Sequence, residues 1–144
     1  MIELGIPILV FGIGYFPASA AVPEPGQLVV RATGFAHPNG PAIAKLFRPE
    51  DNVLGPGRWQ RSAAILDGKA EFRFLGLPKG SYAVVVFHDE NDNGEVDHNP
   101  LGFPKEPLGF SNGFSLGMFS GKPTFKKLRF EYKGATQYFE VAVR

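Results

Sequence analysis

Apolar and polar residues alternate with a period of two over most of the chain after residue 26. The clearest case is KAEFRFL at residues 69–75, in which Ala70, Phe72 and Phe74 alternate with charged side chains. This pattern is typical of a β-strand with one buried face and one solvated face. The run SYAVVVF at residues 81–87 is apolar at nearly every position. It therefore predicts a central strand that is buried on both faces.

Seven such segments are separated by turn signals, and none shows a sustained helical period of 3.6 with caps. Asn39-Gly40 and Asp67-Gly68 are residue pairs typical of two-residue hairpin turns. The 18 glycines and 13 prolines also favour many short strands over long helices. The chain is thus predicted to be an all-β, two-sheet antiparallel sandwich of about seven strands, immunoglobulin- or prealbumin-like. The predicted strands are residues 27–35, 41–48, 59–66, 69–75, 81–87, 125–132 and 136–143.

The first twenty residues have the pattern of a secretory signal. Residues 4–16 are thirteen uncharged, mostly apolar positions, and PASAA follows at residues 17–21. The apolar run is shorter than the roughly 20 residues that span a bilayer, and the small residues favour cleavage after Ala20. We therefore expect a signal peptide at residues 1–20, a flexible start at 21–26 and a β-sandwich domain at 27–144. The alternative is a buried first strand, since Glu3 replaces the usual basic residues.

Charge and cysteine content exclude several classes of protein. The formal net charge of +1 gives no case for nucleic-acid binding, and the absence of cysteine excludes a disulfide framework and thiolate zinc sites. The charges are unevenly placed, however, because five of the 14 acidic residues fall between residues 89 and 97. Like charges at this density repel one another. The segment must either extend into solvent or hold a cation.

The acidic loop, HDENDNGEVDHN at residues 88–99, has the spacing of a calcium-binding loop. Carboxylate, amide and carbonyl oxygens at alternate positions, with a glycine at the sixth, are the arrangement that Ca²⁺ prefers. Pro100 stands where an EF-hand has its closing glutamate, so an EF-hand proper is excluded. Ca²⁺ is favoured over Mg²⁺ because the loop is long and flexible. The predicted ligands are Asp89, Asn91, Asn93, Glu95 through its carbonyl, and Asp97, with Glu90, Asp92 and Glu106 as candidates for the missing ones.

Two alternatives to the calcium site remain open at this point. Asn93-Gly94 could be a simple hairpin turn surrounded by solvated charge. His88 and His98 would suit a transition metal bound by imidazole and carboxylate ligands.

The segment after the acidic loop is rich in phenylalanine and glycine. Phe103, Phe110, Phe114 and Phe119 fall within residues 100–124. A connection of this length is uncommon in a compact domain, and four solvated phenylalanines would expose several hundred Å². We expect an ordered flap that packs on the sandwich, or one that covers a sheet edge.

The sequence contains little evidence for a catalytic site. GFSNG at residues 109–113 matches the G-x-S-x-G nucleophile elbow, but that motif needs a strand, a turn and a helix in a parallel α/β sheet. We therefore expect no enzyme, with Ser111 in a turn. The competing hypotheses are a small hydrolase using His88, Asp89, Asp97 and Ser111, and a carbohydrate- or surface-binding module using exposed Trp59 or Tyr132.

Several short blocks together resemble a known family. They are GLPKGSYAV at residues 76–84, FHDEN at 87–91, GFSN at 109–112 and KPTF at 122–125. Over residues 27–143 the chain resembles the bacterial secreted family catalogued as domain of unknown function 2141. The resemblance implies a signal peptide, a prealbumin-like or carboxypeptidase-regulatory-like sandwich, and no assigned activity.

These inferences define one expected function. The protein is expected to be a small periplasmic or secreted module, without a transmembrane segment in its mature chain. Its acidic loop is expected to bind Ca²⁺ and to order the flap. The sequence names no partner; a cell-surface or periplasmic protein or a glycan would suit such a module.

Overall fold

The computed structural model describes residues 25–144. The predicted signal peptide and most of the predicted flexible start lie outside the described residues. The described part contains eight strands and one single-turn helix. In chain order these elements are β1 (Gln27–Thr33), β2 (Ala42–Phe47), β3 (Trp59–Ala63), β4 (Lys69–Leu75), β5 (Gly80–His88), β6 (Leu108–Phe110), α1 (Phe125–Leu128), β7 (Phe130–Tyr132) and β8 (Gln137–Ala142).

The strands form the two sheets of the predicted sandwich. One sheet has the order β4-β1-β8, and the other has the order β3-β2-β5-β6, with β7 pairing the beginning of β5. The prediction of an all-β two-sheet sandwich is confirmed. One pairing departs from the antiparallel expectation, because β1 and β8 run parallel, with Leu28 opposite Gln137. Parallel neighbours cannot be joined by a hairpin, and here most of the chain lies between them.

The main core fills the space between the two sheets. Side chains at alternate positions of β1, β4 and β5 point into it, so the alternation in KAEFRFL becomes alternating exposed and buried residues. Tyr82 is fully buried there, and its hydroxyl group donates to the carbonyl oxygen of Pro78 at 2.5 Å. This bond satisfies the one polar group of the ring in an apolar setting.

A second, smaller core lies on the outer face of the larger sheet. Strand β5 is buried on both faces, as the sequence predicts, because the connection after it folds back over that outer face. The buried members of this second core are Phe47, Val53, Ala83, Val85, Phe110 and Leu128. Leu108, Phe114 and Phe125 pack against them.

The structure corrects two predictions about the second half of the chain. The predicted flap at residues 100–124 is interrupted by β6, which pairs with β5 so that Phe110 lies opposite Val85. The predicted strand at 125–132 begins instead as the helical turn α1, and only Phe130–Tyr132 is a strand. The hydroxyl group of Thr124 caps α1 by accepting from the backbone N–H of Lys127.

The four phenylalanines of the predicted flap do not behave alike. Phe110 is buried, and Phe114 meets it edge-to-face with 5.1 Å between ring centroids. Phe103 and Phe119 are 62% and 95% exposed, so the expectation that all four pack on the sandwich is wrong for these two. Phe119 lies in a tight turn that Ser120 closes with hydrogen bonds to Gly117, and this turn holds the ring in solvent.

This difference predicts a contrast in stability between two equivalent substitutions. Phe110→Ala should lower the free energy of unfolding by about 3–5 kcal/mol, because it removes a buried ring from the second core. Phe119→Ala should change it by no more than about 0.5 kcal/mol. Urea denaturation of the two variants would measure both values, and equal losses would contradict the placement of the rings.

Candidate functional site

The acidic loop starts where β5 ends, and its first two residues are held by both neighbouring segments. The backbone N–H of His88 donates to the carbonyl of Pro107 at 3.0 Å, and that of Asp89 donates to Pro41 at 2.9 Å. Both side chains are fully buried. Asp89 is therefore fixed by the sheet rather than by the loop.

The loop wraps around the carboxylate of Asp89. One of its oxygens accepts from the backbone N–H of Asn93 at 3.1 Å, and the other accepts from the backbone N–H of Gly94 at 2.8 Å. Gly94 has a φ of 78°, a conformation that glycine adopts without strain. The first and sixth positions of the predicted calcium loop are thus in direct contact.

Asp97 is hydrogen-bonded by the two asparagines of the loop. The side-chain amide of Asn91 donates to one carboxylate oxygen at 2.5 Å, and that of Asn93 donates to the other at 2.8 Å. Because the nitrogen and oxygen of an amide exchange places on a half-turn of the group, Asn91 can also direct an oxygen toward a cation beside Asp97. Glu95 belongs to the same turn, since its backbone N–H donates to Asn93 Oδ1 at 3.0 Å.

Glu106 joins this cluster from outside the loop. Its carboxylate is buried, and its two oxygens accept from the backbone N–H groups of Glu90 and Asp97 at 3.2 and 3.4 Å. Burial raises the pKa of Glu106, and the nearby charges of Asp97 and Asp89 raise it further. Of the three candidates for missing ligands, Glu106 is the one placed against the loop by both carboxylate oxygens.

Lys45 is a member of this environment that the sequence analysis missed. It lies on β2, is nearly buried, and holds its ammonium group 5.1 Å from the centre of the Phe87 ring. Burial lowers the pKa of Lys45, while the charges of Glu95 and Asp89 act in the opposite direction. One protein cation therefore already offsets part of the negative charge of the loop.

The two histidines of the predicted transition-metal variant have different environments. His98 is exposed and lies opposite Pro104 in an isolated β-bridge. His88 is buried, and the ring that lies beside it is His37, with 4.6 Å between centroids. Glu90 also turns toward this side, with Oε2 3.0 Å from Nε2 of His37.

Residues of the competing hypotheses have structural contacts. The buried hydroxyl group of Ser111 donates to the carbonyl of Leu128 at 2.6 Å and accepts from the backbone N–H of Val84 at 2.9 Å. Tyr132 is buried, so it cannot offer the exposed ring that the carbohydrate-binding hypothesis requires. Trp59 is half-buried against Tyr82, with 5.9 Å between ring centroids.

A family profile described as "Uncharacterized protein conserved in bacteria (DUF2141)" matches residues 30–140. The chain belongs to this bacterial family. The match confirms the resemblance drawn from the short sequence blocks, and it covers the acidic loop, Glu106 and Ser111. No curated protein and no solved structure matches the DUF2141 chain. Between residues 25 and 144, no helix of the DUF2141 protein is long and apolar enough to cross a membrane.

Proposed function

We propose that this DUF2141 protein is an exported β-sandwich module that binds Ca²⁺ through its acidic loop. One observation carries the proposal: the side chains of Asn91 and Asn93 meet on both carboxylate oxygens of Asp97, above a loop that is wound around buried Asp89. Four of the oxygen-bearing side chains chosen from spacing alone thus belong to one connected cluster.

The cluster offers the ligand chemistry that Ca²⁺ requires. Ca²⁺ takes six to eight oxygen ligands in flexible geometry, and carboxylates, amides and a backbone carbonyl all serve. The carboxylates of Asp89, Asp97 and Glu106 supply negative charge, and Asn91 and Asn93 add neutral donors without further repulsion. Glu106 supports the proposal most directly, because it brings the extra carboxylate that Pro100 cannot supply.

The segment that follows the acidic loop gives the bound ion a structural role. Residues 100–107 lead from the loop into β6, and the backbone N–H of Lys105 donates to the carbonyl of Asp97 at 2.8 Å. A dication bound beside these carboxylates would reduce the repulsion between them. In the proposed role, Ca²⁺ holds the loop against the start of β6 and so helps to keep the second core covered.

Ca²⁺ should raise the melting temperature of the chelator-treated protein, and Mg²⁺ should do so less. An affinity in the range of extracellular modules, about 10⁻⁴–10⁻³ M, would add about 1.4 kcal/mol at a tenfold excess of Ca²⁺ over the dissociation constant. That corresponds to a shift of roughly 5 °C for a domain of this size. Differential scanning calorimetry would measure the shift.

Substitutions in the loop separate binding from folding. Asp97→Asn and Glu106→Gln should abolish most of the Ca²⁺-induced shift. Asp92→Asn is the matched control, since its side chain is exposed and takes no part in the hydrogen bonds of this network. Asp89→Asn should also lower the stability of the metal-free protein, because its two oxygens hold two backbone N–H groups. No shift in the parent protein, or an equal loss in Asp92→Asn, would contradict the site.

Hydrogen exchange should place the protection caused by Ca²⁺ at residues 89–107 rather than at 112–121, beyond β6.

Export is the second part of the proposal, and the sequence of residues 4–21 supports it. Expression in a bacterial host with native processing should yield a chain that begins at Ala21 or within a few residues of it. N-terminal sequencing of the protein recovered from the periplasm or medium would test this. Recovery of the intact chain from Met1 in the cytoplasm would contradict export.

Attachment to a cell-surface or periplasmic partner is a second candidate function. It is favoured by the apolar turn that contains Met118 and Phe119, which are 91% and 95% exposed. Lys122, Lys126 and Lys127 follow it within the next few positions. If this turn contacts a partner, Met118→Ser with Phe119→Ser should abolish retention of the protein on isolated cell envelopes without changing its melting temperature. Unchanged retention would exclude the turn as the contact.

A further inference from the structure

A cluster of two histidines and one glutamate lies where the turn between β1 and β2 meets the end of β5. One ring nitrogen each from His37 and His88 and one carboxylate oxygen of Glu90 lie within 4.8 Å of one another. We propose that these three residues bind a divalent transition metal, with Zn²⁺ as the best match. This site is separate from the proposed calcium site, and shares none of its side chains.

The tautomer of the neutral His88 ring follows from its surroundings. Its Nε2 lies 2.6 Å from the carbonyl oxygen of Asn39, and a carbonyl oxygen can only accept, so Nε2 carries the proton. Nδ1 of the neutral ring therefore presents a lone pair. Within the described residues this buried nitrogen has no hydrogen-bond partner. An imidazole that donates one N–H to a backbone carbonyl and leaves the other nitrogen free is the arrangement that metal-binding histidines use.

The fold itself brings the two histidines together. His37 belongs to the turn that joins β1 and β2, and this turn packs closely against the end of β5 at Gly40. A Cβ atom on Gly40 would lie 2.3 Å from the carbonyl oxygen of Asp89, and its φ is 78°. Glycine is therefore required at this position, and the close approach places the His37 ring beside that of His88.

The ligand atoms need only small movements to close on a metal. Zn²⁺ bonds of about 2.0–2.1 Å to nitrogen and oxygen place the ligand atoms of a tetrahedral site roughly 3.4 Å apart. His37 Nε2 and Glu90 Oε2 are already 3.0 Å apart, and both side chains are more than one-third exposed. They can adjust, whereas His88 is held in place by its bond to Asn39. The exposed side also gives the metal a path from solvent.

Binding requires His37 to change tautomer. Its Nδ1 accepts from the backbone N–H of Asn39 at 3.2 Å, so the neutral ring now carries its proton on Nε2 and directs it at Glu90. For Nε2 to bind the metal, Nε2 gives up its proton to solvent and Nδ1 takes one up, so the ring stays neutral and no proton is lost overall. The long contact to Asn39 N–H is then lost, and the metal replaces the proton between His37 and Glu90.

The ligand chemistry distinguishes this site from the calcium loop. Two imidazoles and one carboxylate suit zinc, copper or nickel, whereas Ca²⁺ prefers an all-oxygen shell. Three protein ligands also leave a fourth position of a tetrahedral zinc ion open to water or to a small ligand.

Calorimetric titration with Zn²⁺ at neutral pH, with Ca²⁺ present at saturation, tests the proposal on the purified protein. One equivalent of Zn²⁺ should bind, and His37→Ala and Glu90→Gln should each weaken binding at least tenfold. His98→Ala is the matched control, because it removes an exposed histidine of the acidic loop that lies outside the cluster. It should change the affinity by less than twofold. X-ray absorption of the zinc-loaded protein should show two imidazole ligands at about 2.0–2.1 Å.

Three outcomes of these measurements would overturn the site. They are the absence of Zn²⁺ binding, an equal loss of affinity in His98→Ala, and an oxygen-only ligand shell.

A further variant separates the two metal proposals. Asp97→Asn should lose the Ca²⁺ response and keep the Zn²⁺ affinity, so failure of the calcium site leaves the zinc measurement interpretable. If Asp97→Asn abolished Zn²⁺ binding while His37→Ala did not, the zinc would be in the acidic loop and the proposal would be wrong.

Discussion

Strand β5 is apolar on both faces, and this constraint determines how the second half of the chain folds. The inner face is covered by the opposite sheet, and the outer face is covered by Val53 before β5 and by the chain that returns after β5 ends. The returning segment supplies β6, with Phe110 opposite Val85, and then α1, with buried Leu128. Ser111 ties these parts together, because its hydroxyl group bonds to backbone atoms of both β5 and α1. The serine at the centre of the G-x-S-x-G match thus joins β5 to α1.

The same return brings Glu106 to the acidic loop. Pairing of β6 with β5 places residue 106 beside the buried end of β5, where its carboxylate accepts from Glu90 and Asp97. Burial raises the pKa of Glu106, and the nearby charges of Asp97 and Asp89 raise it further. The fold therefore concentrates negative charge at this loop, where backbone N–H groups stabilise the carboxylates of Asp89 and Glu106. Lys45 offsets part of it from the neighbouring strand β2.

Local patterns predicted the parts of this structure that depend on local chemistry. Alternation gave β4 with its correct bounds, and the uninterrupted apolar run identified β5 as a central strand. The spacing of oxygen-bearing residues identified Asp89, Asn91, Asn93 and Asp97, which are neighbours in one turn.

Long-range contacts were not predictable in this way. Strand pairing brings Glu106 and Lys45 to the acidic loop, and a turn contact brings His37 to His88. The parallel pairing of β1 with β8 also has no local signal in the sequence. Phe125 and Leu128 share one side of a helical turn, but four residues are too few for a period of 3.6 to be recognised against a period of two.

Glu90 is the point at which the two candidate sites meet. Its backbone N–H donates to Glu106 at the base of the calcium loop, while its side chain faces His37 in the histidine cluster. Asp89, next to it, is held by the sheet and in turn holds the loop through Asn93 and Gly94. A two-residue segment therefore supplies backbone and side-chain groups to both clusters, in opposite directions. Because the alternation of a strand sends successive side chains to opposite faces, the end of β5 can serve an oxygen-rich loop on one face and imidazole ligands on the other.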